Sequence, residues 1–193
     1  MLVDKSLRDL LAAFSSSDPT PGGGSASALA SAVGASLLLM VAALPKTRSN
    51  SEDDRRVLDG ATTVLTGLRQ QLAEAIDADT DAYDRVVAAY RLPKASEEEQ
   101  RARKAAIQRA LRSATDVPLG VMRLSVEGLS QAGVVGEHGH RGAASDVGVA
   151  TALLQAGATG ARLNVEINLD GIDDAEYREA VKREVSALSS ALR

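Results

Sequence analysis

Four groups of residues in this chain have the types and spacing to do chemistry. The first is Pro21-Gly22-Gly23-Gly24-Ser25. Successive glycines reach backbone angles closed to other residues and leave N–H groups bare. A helix starting behind them favours an anion or a carbonyl oxygen at its N-terminus. The plain reading is a tight turn with Ser25 as N-cap, but three glycines in a row exceed what a cap needs. No strand precedes the turn and no Gly-Lys-Ser/Thr follows it, so it is neither a dinucleotide-binding nor a phosphate-loop pattern. The second group is Asp79. Leu72, Ile76, Asp79, Tyr83, Val86 and Val87 fall on one helix face, which places an acid in an apolar stripe. Burying a carboxylate is costly, so it is either bonded to a neighbouring amide or Arg, or kept for proton transfer. Asp77 and Asp81 lie off that face and are expected in solvent.

The third group is Ser145-Asp146, opening a helix, with Asn164 and Asn168 after it. Asp146 reads as a cap or as a second acid. The two amides, four residues apart, either turn the chain or share a face that binds a polar ligand edge. The fourth is His138 and His140. They alternate like a metal pair, but no further close His and no Cys completes a set, so no metal is expected.

Composition restricts the elements that hold these groups. The chain has 193 residues, 45% of them apolar but only 2% aromatic, so Ala and Leu must fill the core. Side chains that small need close helix–helix approach, and the shortage of β-branched and aromatic residues argues against sheets. The fold expected is all-α, with up to six helices in an orthogonal or bundle-like array around a buried Ala/Gly/Ser-rich helix, in one domain over 1–193. Helices are expected at about 5–15, from the glycine turn to Leu44, from Ser51 to Tyr90, from Ser96 to about Gln131 through Pro118, at about 144–161, and from Asp173 or Asp174 to Leu192. A loop is expected at Gly133–Gly142 and a connector over Asn164–Leu169. Ser51 with Asp54, and Ser96 with Glu99, read as capping pairs.

Net charge is −4 with no basic, aromatic-laced cluster, so nucleic acid is not an expected partner. Absence of cysteine removes disulfides and thiol chemistry. Ala26 to Leu44 is long enough to span a bilayer, but Ala, Ser and Gly dominate its first half and gain little from lipid. It reads as the centre of a bundle, with no membrane partner. The N-terminus lacks the basic-then-apolar order of a secretion signal, and the chain reads as cytoplasmic.

Five segments, in order, resemble the formiminotetrahydrofolate cyclodeaminase and methenyltetrahydrofolate cyclohydrolase family. They are Pro21–Ser25 with its Ala-rich helix, Asp79-Thr80-Asp81-Ala82-Tyr83, Tyr90-Arg91-Leu92-Pro93-Lys94, Ser145-Asp146-Val147-Gly148-Val149-Ala150, and Gly160 through Leu169. The resemblance implies an all-helical homodimer with a folate cleft near the subunit contact. It implies a tetrahydrofolate derivative as substrate, no tightly bound cofactor and no metal. Members open or close the ring of 5,10-methenyltetrahydrofolate. On that reading Asp79 is the first acid/base candidate and Asp146 the second. Gly22, Gly23, Gly24 and Ser25 would bind the pterin edge or a carboxylate. Arg48, Lys46 and Lys94 would meet the glutamate tail, and Asn164 and Asn168 would bond the pterin or simply support the cleft. The family commonly carries Gly-Asn-x-Asn before Ser-Asp, whereas this chain reads Gly136-Glu137-His138-Gly139-His140-Arg141. His138 or His140 would then replace an amide as proton shuttle. Two other readings stay open: a relative repurposed for a different cyclisation or ring opening, and a non-catalytic folate-binding helical dimer.

Overall fold

The computed structural model describes residues 1–192. Six α-helices carry the described residues: α1 (Leu7–Phe14), α2 (Gly23–Ala42), α3 (Glu52–Tyr90), α4 (Glu97–His138), α5 (Ala144–Leu169) and α6 (Ala175–Ser190). The described residues form no strand, only a single bridge between Thr47 and Gly139.

Cross-helix contacts give the topology. Ser25 at the start of α2 bonds Asp79 late in α3, and Arg55 early in α3 bonds the Ala42 carbonyl at the end of α2. These two helices are therefore antiparallel. Asn168 at the end of α5 reaches Ala114 early in α4, and Leu154 packs on Gly128, so α4 and α5 are antiparallel too. The result is an up-down-up-down bundle of α2 to α5. α6 lies along α4, held by Arg112–Asp174, by Tyr177 donating to Asp116, and by Arg123–Glu184.

Small residues let α2 sit inside the bundle. A Cβ added at Gly157 of α5 would lie 2.7 Å from the Ser27 carbonyl, so only glycine permits this approach. On the α4 side, the Ser125 hydroxyl donates to the Val121 carbonyl and accepts from the Ser31 hydroxyl at 2.7 Å. That exchange satisfies two buried hydroxyls between helices. α2 is long and apolar enough to cross a membrane, and in this fold most of it is enclosed by α3, α4 and α5.

Three caps match the sequence signals. Ser51 accepts from the Asp54 N–H, Ser96 and Glu99 form the reciprocal box, and Asp174 accepts from the Tyr177 N–H. Two boundaries differ. The expected loop at Gly133–Gly142 is helical as far as His138, because Ala132 and Val135 continue the buried face of α4. That burial outweighs the cost of Gly133 and Gly136 in a helix. The expected connector at Asn164–Leu169 is the end of α5, since Ala161, Val165 and Leu169 repeat at helical spacing and are buried. Asp77 is not simply solvated: its carboxylate accepts the Leu2 N–H and ties the N-terminus to α3.

Candidate active site

A cleft of about 280 Å³ opens where the N-terminus of α2 meets the later part of α3 and the end of α5. Its walls include Thr20, Gly22, Gly23, Gly24, Asp79, Tyr83, Asn164 and Asn168. Antiparallel packing explains the meeting, because residues far apart in sequence share one end of the bundle.

Gly22 is the N-cap of α2 and has no side chain to offer, so Ser25 is not the cap but the third helical residue. Asp79 supplies the missing acceptor from α3: its Oδ2 takes the Ser25 N–H at 2.8 Å and the Ser25 hydroxyl at 3.0 Å. The carboxylate thus stands at a helix N-terminus, where a negative charge is favoured. Burial pushes its pKa above the ordinary carboxylate value, and the two Ser25 bonds pull it part of the way back. Oδ1 has no protein hydrogen bond among the described residues.

Gly24 is a steric requirement of this pair. A Cβ there would stand 2.6 Å from Oδ2 and closer still to Oδ1. The N–H groups of Gly23 and Gly24 belong to the first turn, which has no preceding carbonyl within the helix to bond. Both glycines line the cleft. Opposite them, Asn164 donates to the Gly160 carbonyl at 2.8 Å and Asn168 to the Ala114 carbonyl at 2.7 Å. Each bond fixes its amide and leaves the side-chain oxygen to accept from a ligand. The cleft therefore offers one carboxyl with an unbonded oxygen, two backbone donors and two oriented amides.

The remaining candidates lie elsewhere in the subunit. Arg48 donates to the Gly136 and Glu137 carbonyls, and His138 bonds Asp54, both at the opposite end of the bundle. The twenty residues of α2 separate the two ends by about 30 Å. Asp54 is the hub of that end. It accepts from Thr47, from the Ser49 N–H and hydroxyl, and from His138, and the Ser49 and His138 bonds hold its pKa far below the usual carboxylate range. Asp146 is in the first turn of α5, roughly 27 Å along that helix from Asn164. His140 accepts from the Gly142 N–H and does not converge with His138. Lys94 is exposed in the link between α3 and α4. The sequence reading brought these residues to the same cleft as Asp79; the alternation of helix direction keeps Arg48, His138, His140 and Asp146 at the other end of the subunit, while Lys94 follows the end of α3 on the cleft side without lining the cleft. It also passed over Thr20 and Ala114 as cleft walls, since neither carries a chemical signature.

A family model described as formiminotransferase-cyclodeaminase matches residues 6–187. The chain belongs to that family. A methenyltetrahydrofolate cyclohydrolase of Methylorubrum extorquens is 39% identical over 97% of this chain and 90% of its own length. The formimidoyltransferase-cyclodeaminase of Gallus gallus is 31% identical over 97% of this chain, which spans only 35% of that longer protein. Among solved structures, a formiminotetrahydrofolate cyclodeaminase of Thermotoga maritima superposes with a TM-score of 0.87 at 26% identity, covering 100% of this chain and 92% of the other. Membership of the formiminotransferase-cyclodeaminase family accounts for the fold and makes the chain a one-carbon folate enzyme acting on C–N bonds.

Proposed function

We propose that this chain hydrolyses the ring of 5,10-methenyltetrahydrofolate, with Asp79 moving the proton. The observation that carries the proposal is the Asp79 carboxyl: held by one oxygen, free at the other, and standing in a cleft beside bare helix N–H groups. The near-full-length likeness to a cyclohydrolase supports the choice of reaction.

Water adds to the carbon bridging N5 and N10, and the Asp79 carboxylate takes its proton. The resulting tetrahedral carbon carries a hydroxyl and both nitrogens. Asp79 returns its proton to N5 as the C–N5 bond breaks. The hydroxyl then loses its proton to solvent and becomes the carbonyl of the 10-formyl product. Asn164 and Asn168 orient the pterin, and the Gly23 and Gly24 amides bind an electron-rich edge of it. Fixing the bridge carbon near the carboxyl is itself a large part of the rate.

The same residues serve a second reading, favoured by the Thermotoga maritima superposition. In cyclodeamination N10 attacks the carbon of the protonated formimino group (N5–CH=NH2+), Asp79 takes the N10 proton and passes it to the NH2 group, which leaves as ammonia to give the methenyl cation. Supplying the methenyl and formimino compounds in separate assays distinguishes them. The proposal expects turnover of the first with water. Turnover of the formimino compound alone selects the second reading.

The proposal includes a homodimer. Val33 and Met40 on α2, with Val149, Leu163 and Ile167 on the adjacent α5, leave apolar side chains exposed over neighbouring helices. A patch of that kind on a bundle is the sort of surface a second copy buries. Light scattering is expected to give twice the chain mass, and a monomer at working concentration would contradict it.

A further inference from the structure

The Ser25 hydroxyl was expected in the cleft as a substrate contact, yet Ser25 is fully buried. Its oxygen lies 3.0 Å from Asp79 Oδ2, 2.9 Å from the Ile76 carbonyl and 3.3 Å from the Thr80 hydroxyl. One hydroxyl with one proton therefore faces three oxygens. Substrate binding does not account for that arrangement.

We infer that Ser25 is a positioning residue for Asp79: its hydroxyl and its N–H hold Oδ2 together, so that Oδ1 is the atom exchanging protons with substrate. This inference rests on the role given to Asp79 above. With Asp79 ionised, the Ser25 proton points to Oδ2, since a charged acceptor makes the stronger bond. Once Oδ1 takes a proton from the attacking water, that pull weakens. The hydroxyl can then turn to the Ile76 carbonyl, which has a second lone pair beyond its helical bond. The buried hydroxyl keeps an acceptor in both protonation states. Ser25 neither gains nor loses a proton over the cycle; the proton passes from water to Oδ1 and from Oδ1 to N5. The backbone N–H at 2.8 Å keeps Oδ2 fixed while this happens.

Ser25→Ala and Ser25→Gly both remove the hydroxyl, add no bulk and keep the N–H. Each is assayed for kcat, KM and the acid limb of the pH profile, with Asp79→Asn run alongside and folding followed by circular dichroism. The expected result is a kcat about tenfold lower, the low end of what one hydrogen bond to a charged group contributes, with KM within about twofold because Ser25 does not touch substrate. The acid limb is expected at higher pH than in wild type, because a donor to the charged carboxylate is gone while its burial remains. A limb at the wild-type pH in whichever of the two variants folds, with activity tracking only the folded fraction, overturns the inference. If that occurs while Asp79→Asn is inactive, Ser25 alone has been misassigned. If Asp79→Asn keeps wild-type turnover, the role of Asp79 itself fails.

Discussion

Asp79→Asn is expected to lower kcat by about 10²–10⁴-fold, the range that a positioned acid/base contributes. Asparagine keeps the shape, and its oxygen can still accept the Ser25 N–H, so the N-terminus of α2 stays capped. What it removes is the oxygen that, on the proposed mechanism, takes and returns the proton. Stability moves the other way. Burial raises the Asp79 pKa, so an ionised Asp79 at neutral pH works against folding. The neutral amide removes that cost, and the melting temperature is expected to be unchanged or higher. Loss of activity without loss of stability separates a chemical role from a structural one. In wild type, the carboxylate form starts the reaction, so kcat/KM is expected to fall as pH drops through the raised pKa. That limb lies above the ordinary carboxylate range and is expected to disappear in the residual activity of the variant.

Gly24→Ala is expected to be comparably damaging by a different route. The new methyl group would occupy the space of the Asp79 carboxyl, 2.6 Å from Oδ2 and nearer to Oδ1. Either the carboxyl turns away from Ser25 or the first turn of α2 shifts. A displacement on the scale of an ångström at the reacting group costs about 10²-fold in rate. Overpacking of this kind costs about 1–3 kcal/mol of stability. Gly23→Ala is the comparison, because its Cβ would meet Asn164 Nδ2 at 3.2 Å, a contact the side chain can relieve by a small shift. The expected order of kcat is wild type, then Gly23→Ala, then Gly24→Ala. Equal activity for the two alanine variants would remove the steric argument.

Much of this arrangement was legible in the sequence. The paucity of aromatics and the Ala/Gly/Ser run predicted a helical fold around a close-packed helix, and α2 occupies that place. The stripe that put Asp79 among apolar residues also located the acid. Of the two readings offered for that acid, the bond to a neighbouring amide is present at Oδ2, and proton transfer at Oδ1 is the proposal. Helix ends were less legible where glycine lay inside a helix. Gly133 and Gly136 suggested a loop, but the buried Val135 between them kept α4 going to His138. The amides Asn164 and Asn168 suggested a connector, but Val165 and Leu169 continued the core face of α5. Tertiary packing decided both cases, and packing partners are not visible in a local window.

The site was harder to read because sequence patterns carry no direction. Arg48, His138 and Asp146 have chemical side chains and lie in or beside segments that resemble the family. Only the alternation of helix direction shows that they gather at the far end of the subunit from Asp79. There His138 bonds Asp54 and Arg48 donates to two carbonyls at the end of α4, so both brace the α2–α3 link. The Glu137–Arg141 departure from the family pattern therefore falls outside the cleft of the same subunit. Ser25 was misread for a related reason. A serine at a glycine turn looks like a cap or a ligand contact, and nothing local reveals the aspartate 54 residues later that it supports.

The most direct test of the central claim is the disappearance of the 5,10-methenyltetrahydrofolate absorbance on adding the purified protein. The loss is expected to be faster than in buffer alone, proportional to protein concentration, and reduced to near the buffer rate by Asp79→Asn. A wild-type rate equal to that of buffer, with no turnover of the formimino compound in the parallel assay, would contradict it.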